Sequence, residues 1–356
     1  MADTGTPEVR AADALPFAPA DEDALDLALS EPDDAVVSAL RRCPGDIIVL
    51  GAGGKMGPSL ARMARRALDA DGRTADTVHA VSRFTDGAVE ERLAGWGVRT
   101  IRADLTMRDE LAGLPDAANV VFMVGQKFGT DDAPERTWQA NAVVPQLCAE
   151  RFRGARTVVF STGNVYPLVP ASGRGSRESD PLVPTGEYAA SCVARERLYA
   201  LAAGRDTPLA VVRLNYAVDL RYGVFVDLAS RILANQPVDV TTGWVNVIWQ
   251  GDANRMSLMA LAHAAGPPAV FNVTGRKNLS VRAQVVELGR LLRRTPEIVG
   301  EEAPTALLAD SGRMIRKLAR PTVSEERLLA WTAQWLAGGG RTLERPTHFE
   351  VRDGVF

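Results

Sequence analysis

Sulfur, histidine and aromatic side chains are scarce in this chain. Three of its 356 residues are cysteine, and Cys43, Cys148 and Cys192 are widely spaced. Such spacing leaves no disulfide framework and no zinc-ligand pattern, and it fits a reducing, cytoplasmic setting. No apolar run approaches the roughly 18 residues of a membrane span. The amino terminus shows neither a basic n-region nor an apolar h-region, so no signal peptide is expected. A formal net charge of −3 gives no basic field for nucleic acid. Internal repeats and low-complexity tracts are also missing. What remains is ordinary globular composition, 46% hydrophobic and 24% charged, with length enough for a substantial core.

Organisation follows from periodicity. Residues 1–20 are rich in Ala, Pro, Asp and Glu without a clear period, which predicts a poorly ordered lead or an arm lying on a partner. Helical spacing runs from Asp21 to Ser30. A second short helix is expected after Ser30, with Ser30 as N-cap and Pro32 in the first turn, ending near Pro44-Gly45. From there strands and helices alternate. Strands are predicted at Ile47–Leu50, Thr77–Val81, Val98–Ile101, Val120–Val124, Thr157–Phe160 and Leu209–Leu214. Helices are predicted at Pro58–Leu68, Trp138–Arg151 and Glu187–Ala203. This rhythm implies right-handed βαβ units: an α/β, Rossmann-type, doubly wound parallel sheet. After residue 215 it loosens, with helices expected at Phe225–Ala234, Asn254–Ala264, Val281–Leu292 (begun by Ser280) and Ser324–Ala337. The resulting division is an extension over 1–45, partly helical, a dinucleotide-binding domain over 46–215, a smaller substrate lobe mainly over 216–337, and an irregular tail over 338–356.

The first strand runs directly into Gly51-Ala52-Gly53-Gly54-Lys55-Met56-Gly57. Glycines at 51, 54 and 57 permit a tight turn and let a pyrophosphate approach the backbone, while the following helix offers free N–H groups. Without that strand and helix the pattern would be weak, and a ligand-free glycine turn is the plain alternative. The second strand ends at Ser82-Arg83. An acidic residue there would bind the ribose hydroxyl of NAD and repel a 2′-phosphate, whereas Ser82 and Arg83 favour one, with Lys55 adding charge. The cofactor expectation is therefore NADP or NAD, leaning to NADP, unless Arg83 is only a solvated loop residue. Asp104-Leu105, after the third strand, sits where an adenine edge is commonly contacted, though Asp104 would serve equally as a helix cap.

Tyr188-Ala189-Ala190-Ser191-Cys192 resembles the catalytic helix of the extended short-chain dehydrogenase/reductase family, the NAD-dependent epimerases and dehydratases. The resemblance covers roughly residues 46–335. Ser161-Thr162-Gly163-Asn164-Val165-Tyr166 resembles the family's Ser-Ser-x-x-Val-Tyr stretch, and Tyr188 follows at the usual separation. Asn141 matches the family's helix asparagine, and Phe271–Gly275 the segment that closes its C-terminal lobe. The resemblance implies an enzyme, a homodimer or higher oligomer, and hydride transfer with Tyr188 as acid or base and Thr162 orienting the substrate oxygen. Cofactor contacts are expected from Gly51, Gly54, Lys55, Met56, Gly57, Ser82, Arg83, Asp104, Leu105, Val124, Gly125, Lys127 and Tyr188.

One part departs. The family writes Tyr-x-x-x-Lys, and the lysine position is Cys192. An unperturbed tyrosine with a pKa near ~10 is mostly neutral at physiological pH, and a nearby ammonium would favour the phenolate. Lys127, in Gly125-Gln126-Lys127-Phe128 after the fourth strand, is one substitute cation. The oxidised nicotinamide's own charge is another, and a mechanism through neutral Tyr188 is a third. A buried small residue is the plainer reading of Cys192. A protein that binds cofactor without turnover, as regulator or structural subunit, is the alternative to an enzyme.

The substrate lobe departs too. Arg213-Leu214-Asn215-Tyr216 is one residue short of the family's Arg-x-x-Asn segment, and the arginine-bearing stretch that contacts a diphosphate is replaced by Thr242–Gln250. A free sugar, sugar acid or small polyol is therefore expected over a nucleotide sugar, the second alternative. Asn164, Asn215, Arg221, Tyr222 and Trp249 are the candidate pocket residues, with Trp244 or Trp249 able to stack on a sugar or to pack in the core. Arg177 and Glu178 are placed over the pocket, and residues 346–351 are expected to dock on the same subunit or on a partner.

Overall fold

The structure is a computed structural model that describes residues 18–129 and 132–355. Most of the lead over residues 1–20 lies outside that range. All six expected strands are present, with ends moved by a residue or two: β1 (Ile47–Leu50), β2 (Val78–Ser82), β3 (Arg99–Arg102), β4 (Asn119–Phe122), β5 (Arg156–Thr162) and β6 (Leu209–Leu214). A seventh, β7 (Ala269–Val273), pairs in parallel with β6 at the edge. Thus Phe271–Val273 of the segment expected to close the C-terminal lobe belongs to the main sheet. Its short apolar run reads as strand only once β6 offers an open edge. The order is β7-β6-β5-β4-β1-β2-β3, all parallel, so strand order reverses between β1 and β4. Ligands of such sheets bind outside the carboxyl ends at that crevice.

Apolar residues cover both sheet faces, as the alternation in each strand dictates. Val49 and Val121 pack with Leu60 and Met256 on one face, and Ile48 and Phe122 with Leu147 and Tyr199 on the other. A separate cluster around Phe225, Trp249 and Trp331 forms the lobe.

The early helices are α1 (Glu22–Leu29) and α2 (Asp34–Arg41). Asp33, not Ser30, caps α2, its carboxylate accepting from Val36 N at 3.0 Å, while Ser30 closes α1. Asp at this position outcompetes Ser because it adds charge to the helix dipole. Leu25 and Leu29 of α1 join the lobe cluster and Val36 and Leu40 of α2 the sheet cluster, so this pair bridges both cores.

Three further helices matter for the site: α3 (Gly57–Ala70), α4 (Gly186–Ala203) and α5 (Val224–Leu233). The single helix expected at Trp138–Arg151 is instead Pro134–Trp138, a π-helical turn at Gln139–Val143, and Val144–Arg151. Pro145 lacks an N–H to continue a regular ladder, and π turns are frequent at functional sites. Among the described residues, no helix is long and apolar enough to cross a membrane.

Candidate functional site

The glycine turn is shaped by contacts that side chains would obstruct. Gly51 has φ +90°, and a Cβ there would lie 2.8 Å from Val124 N. At Gly57 a Cβ would strike the Ala52 carbonyl, which lets α3 start close against the turn. No side chain caps α3. Beside the glycine turn lies a cavity of about 640 Å³, lined by Gly51, Gly54, Ser82, Arg83, Asp104, Leu105, Val124 and Gly125. These expected cofactor residues are therefore gathered along one crevice. Asp104 accepts from Thr106 N and Oγ1 at 3.0 and 2.7 Å, which holds its carboxyl below the usual range. These bonds close a local turn rather than cap a helix, since the following helix has Met107 as its N-cap residue and no side-chain cap, so Asp104 stands in the cavity wall without the capping role. A tight glycine turn, an uncapped helix and a polar crevice at the switch point fit a dinucleotide.

A second cavity, of about 340 Å³, adjoins the first and shares Gly51, Gly54, Met123 and Gly125 with it as lining. Lys55, Met56, Gly57, Lys127, Thr162, Asn164, Tyr188, Asn215 and Tyr222 line it. Tyr188 projects from the first turn of α4, and its hydroxyl is hydrogen-bonded to Thr162 and Cys192. Burial pushes the phenol well above its ordinary value, the Cys192 thiol adds to the shift, and Arg195 and Thr162 oppose it. Thr162 ends β5, where its Oγ1 accepts from Asn164 N at 3.2 Å. Cys192 is fully buried, and burial raises its thiol too, which disfavours a nucleophilic thiolate.

Asn141 sits on the π turn. Its amide accepts from Gln126 N at 2.9 Å and donates to Gln126 O at 2.8 Å and to Ser191 Oγ at 3.0 Å. It thereby pins the loop carrying Lys127 to the helix carrying Tyr188. The Lys127 ammonium donates to Thr347 O at 3.2 Å, and burial pulls its pKa down to about 8.

Sequence reasoning missed Arg195, one turn beyond Cys192. It is 5% exposed, and its guanidinium donates to Phe160 O at 2.9 Å, Asn141 O at 3.4 Å and Asn141 Oδ1. Among the described residues no carboxylate pairs with it. The only available signal was a charged residue on the inward face of a helix.

Three expected assignments are corrected. Arg221 does not line the Tyr188 cavity; it pairs with Asp26 at 2.8 Å and Asp219 at 3.6 Å, tying α1 to the lobe. Trp249 is 2% exposed and packs edge-on against Trp331 at 5.9 Å, so it is core rather than a sugar platform. Lys55 does not reach Arg83: its ammonium donates to Ala217 O at 2.9 Å and lies 4.3 Å from the Tyr222 ring centre. Arg177 and Glu178 also sit away from the cavity, where Glu178 accepts from Asn272 N at 2.9 Å.

The tail docks on its own subunit. Thr347 donates to Asp227 through N and Oγ1 at 2.8 and 2.5 Å, and Thr242 Oγ1 donates to Glu350 O at 3.0 Å. Thr347 lines the Tyr188 cavity, while Pro346, Phe349 and Glu350 line a separate cavity of about 370 Å³ against α5.

Solved structures share this architecture. The fold is that of the nucleotide-sugar epimerases and dehydratases. MoeE5 in complex with UDP-glucose and NAD superposes with TM-score 0.65 at 23% identity, over 83% of this chain and 99% of that one. The UDP-glucose 4-epimerase of Thermus thermophilus, in complex with NAD, gives 0.66 at 20% identity, over 82% and 99%. The dTDP-glucose 4,6-dehydratase DesIV from Streptomyces venezuelae, with NAD bound, gives 0.69 at 20% identity, over 82% and 97%. No protein-family model matches the chain, and no curated protein sequence does.

Proposed function

We propose that the protein is an NAD(P)-dependent oxidoreductase or epimerase of the extended short-chain dehydrogenase/reductase family, acting on a compact carbohydrate-like substrate. The observation that carries this reading is the hydrogen-bonded Tyr188–Thr162 pair in a cavity that adjoins the dinucleotide-shaped crevice and shares lining residues with it. The neighbours captured with NAD support the same cofactor class. Ser82 and Arg83 in the crevice wall, with no acidic residue at that strand end, keep NADP as the preferred form.

A bound nicotinamide supplies or accepts the hydride. Thr162 fixes the substrate oxygen, and Tyr188 exchanges its proton. Because burial keeps the phenol protonated at neutral pH, Tyr188 is set to donate a proton to an oxygen gaining charge. The reverse direction requires Tyr188 to lose its proton, and the Arg195 guanidinium favours that. Arg195 thus stands in for the ammonium that Cys192 cannot provide, whereas Lys127 acts on the neighbouring Cys192 thiol.

The tail supports a compact substrate. Its residues 346–350 run between the Tyr188 cavity and the cavity against α5, so a molecule seated at Tyr188 meets Thr347 rather than open channel. A nucleotide sugar is the second reading, favoured by the UDP-glucose held in MoeE5.

The test is nicotinamide absorbance near ~340 nm with panels of free sugars, sugar acids, polyols and nucleotide sugars. Turnover that falls roughly 10²–10⁴-fold in Tyr188→Phe, with dinucleotide affinity retained, is the expected result. Dinucleotide binding without turnover on any of them would make the protein a cofactor-binding regulator instead.

A further inference from the structure

The geometry points to Lys55 as the anion-binding residue of the Tyr188 cavity, and hence to a substrate carrying a carboxylate, in the sugar-acid class. The inference rests on the reading that this cavity takes the substrate. Lys55 belongs to the glycine turn, yet it lines the Tyr188 cavity and not the dinucleotide crevice; there Ala217 O accepts from its ammonium at 2.9 Å and the Tyr222 ring centre lies 4.3 Å away. An ammonium carries three donors, and one carbonyl engages one of them.

The surroundings are short of negative charge. The lining includes Lys55 and Lys127 and no Asp or Glu. Asp219 and Asp227 favour the charged form of Lys55, but Arg221 opposes them and both carboxylates are bonded to other donors. Asp219 accepts from Arg221 N at 2.8 Å and pairs with its guanidinium, and Asp227 accepts from Thr347. Withdrawing an ammonium from water costs several kcal/mol unless a counter-charge meets it. A lysine on a solvated surface avoids that cost by turning outward, but Lys55 keeps its ammonium in the cavity. Burial there pulls its pKa to about 8, the mark of a cation held short of compensation. A carboxylate would supply the compensation. Tyr188, Thr162 and Lys55 line this one cavity, so a substrate bearing both a hydroxyl and a carboxylate would give each a partner.

The full-length protein with NADP or NAD would be titrated calorimetrically with matched pairs: glucuronate against glucose, galacturonate against galactose, gluconate against sorbitol. At least one acid is expected to bind roughly tenfold or more tightly than its neutral partner, the scale of one charge-assisted hydrogen bond. Lys55→Met should abolish that preference and Lys55→Arg should keep part of it, with dinucleotide affinity unchanged as proof of folding. The proposal is overturned if no acid is preferred, or if the preference survives Lys55→Met. It is equally overturned if Lys55→Met weakens the dinucleotide instead, which would assign the lysine to a cofactor phosphate. A Lys55-dependent preference for acids in a protein whose turnover ignores Tyr188→Phe would leave the anion site standing and remove the hydride-transfer reading.

Discussion

Arg213 and Arg195 are both buried guanidiniums beside the end of β5, and only the first is paired with a carboxylate among the described residues. Arg213 faces Glu196 in a two-pronged pair at 2.9 and 2.7 Å; Ser161 Oγ donates to the same carboxylate at 2.6 Å, and Arg213 reaches Tyr166 at 2.6 Å. Arg195, the residue just before Glu196 on α4, meets only oxygens of Phe160 and Asn141. The first is a closed clamp joining β5, β6 and α4. The second keeps an uncancelled positive charge, and Tyr188 and Cys192 are the ionisable groups that feel it. Adjacent residues on one helix thus differ: Glu196 pairs with Arg213, and Arg195 opposes the upward shift of the Tyr188 phenol and the Cys192 thiol.

Breaking the clamp should give the largest effect. Glu196→Gln leaves Arg213 buried without its counter-charge and is expected to cost about 3–5 kcal/mol in urea unfolding. A loss under 1 kcal/mol would mean that the pair adds nothing to the frame. Arg195→Gln is expected to cost less stability, about 1–3 kcal/mol, because some carbonyl partners are left unmet. Its distinguishing readout is pH. Arg195 favours the phenolate, so its removal raises the Tyr188 pKa further, and the alkaline rise of the oxidation rate should move to higher pH. An unmoved profile would reduce Arg195 to a structural strut. The smallest effect on rate is expected from Cys192→Lys. Its ammonium would enter a fully buried slot already near the Arg195 guanidinium, so no gain in rate is expected, with a stability loss of several kcal/mol. A large rate gain would show that Arg195 does not replace the missing ammonium.

Much of the frame was legible because its signals are local. Short runs rich in buried apolar residues mark β1, β2, β4, β5 and β6, and Gly51 and Gly57 are readable because a side chain there would meet backbone. The assembly of Thr162, Asn164, Tyr188 and Asn215 around one cavity follows from their register on β5, α4 and β6. Long flexible side chains were not legible. Nothing in Gly-Gly-Lys-Met-Gly says that Lys55 turns toward Ala217 rather than Arg83, since the choice depends on a carbonyl far along the chain. Arg221 and Trp249 were misassigned for the same reason: α1 and Trp331, which claim them, are distant in sequence. The π turn was hidden because its composition is helical, and only the bonds of Asn141 reveal why it persists.

The bond from Lys127 to Thr347 joins residues 220 apart in the chain. The dinucleotide crevice draws its walls from residues 51 to 144, whereas the Tyr188 cavity also needs a wall from residue 347. The two halves of the site therefore differ in order of assembly. The crevice rests on comparatively local contacts, but the cavity exists only once the whole lobe has folded and the tail has come back across it. A brief release of that tail would open the substrate chamber while the cofactor's seat stayed intact, so affinity for the smaller ligand is tied to the least locally anchored wall of the site.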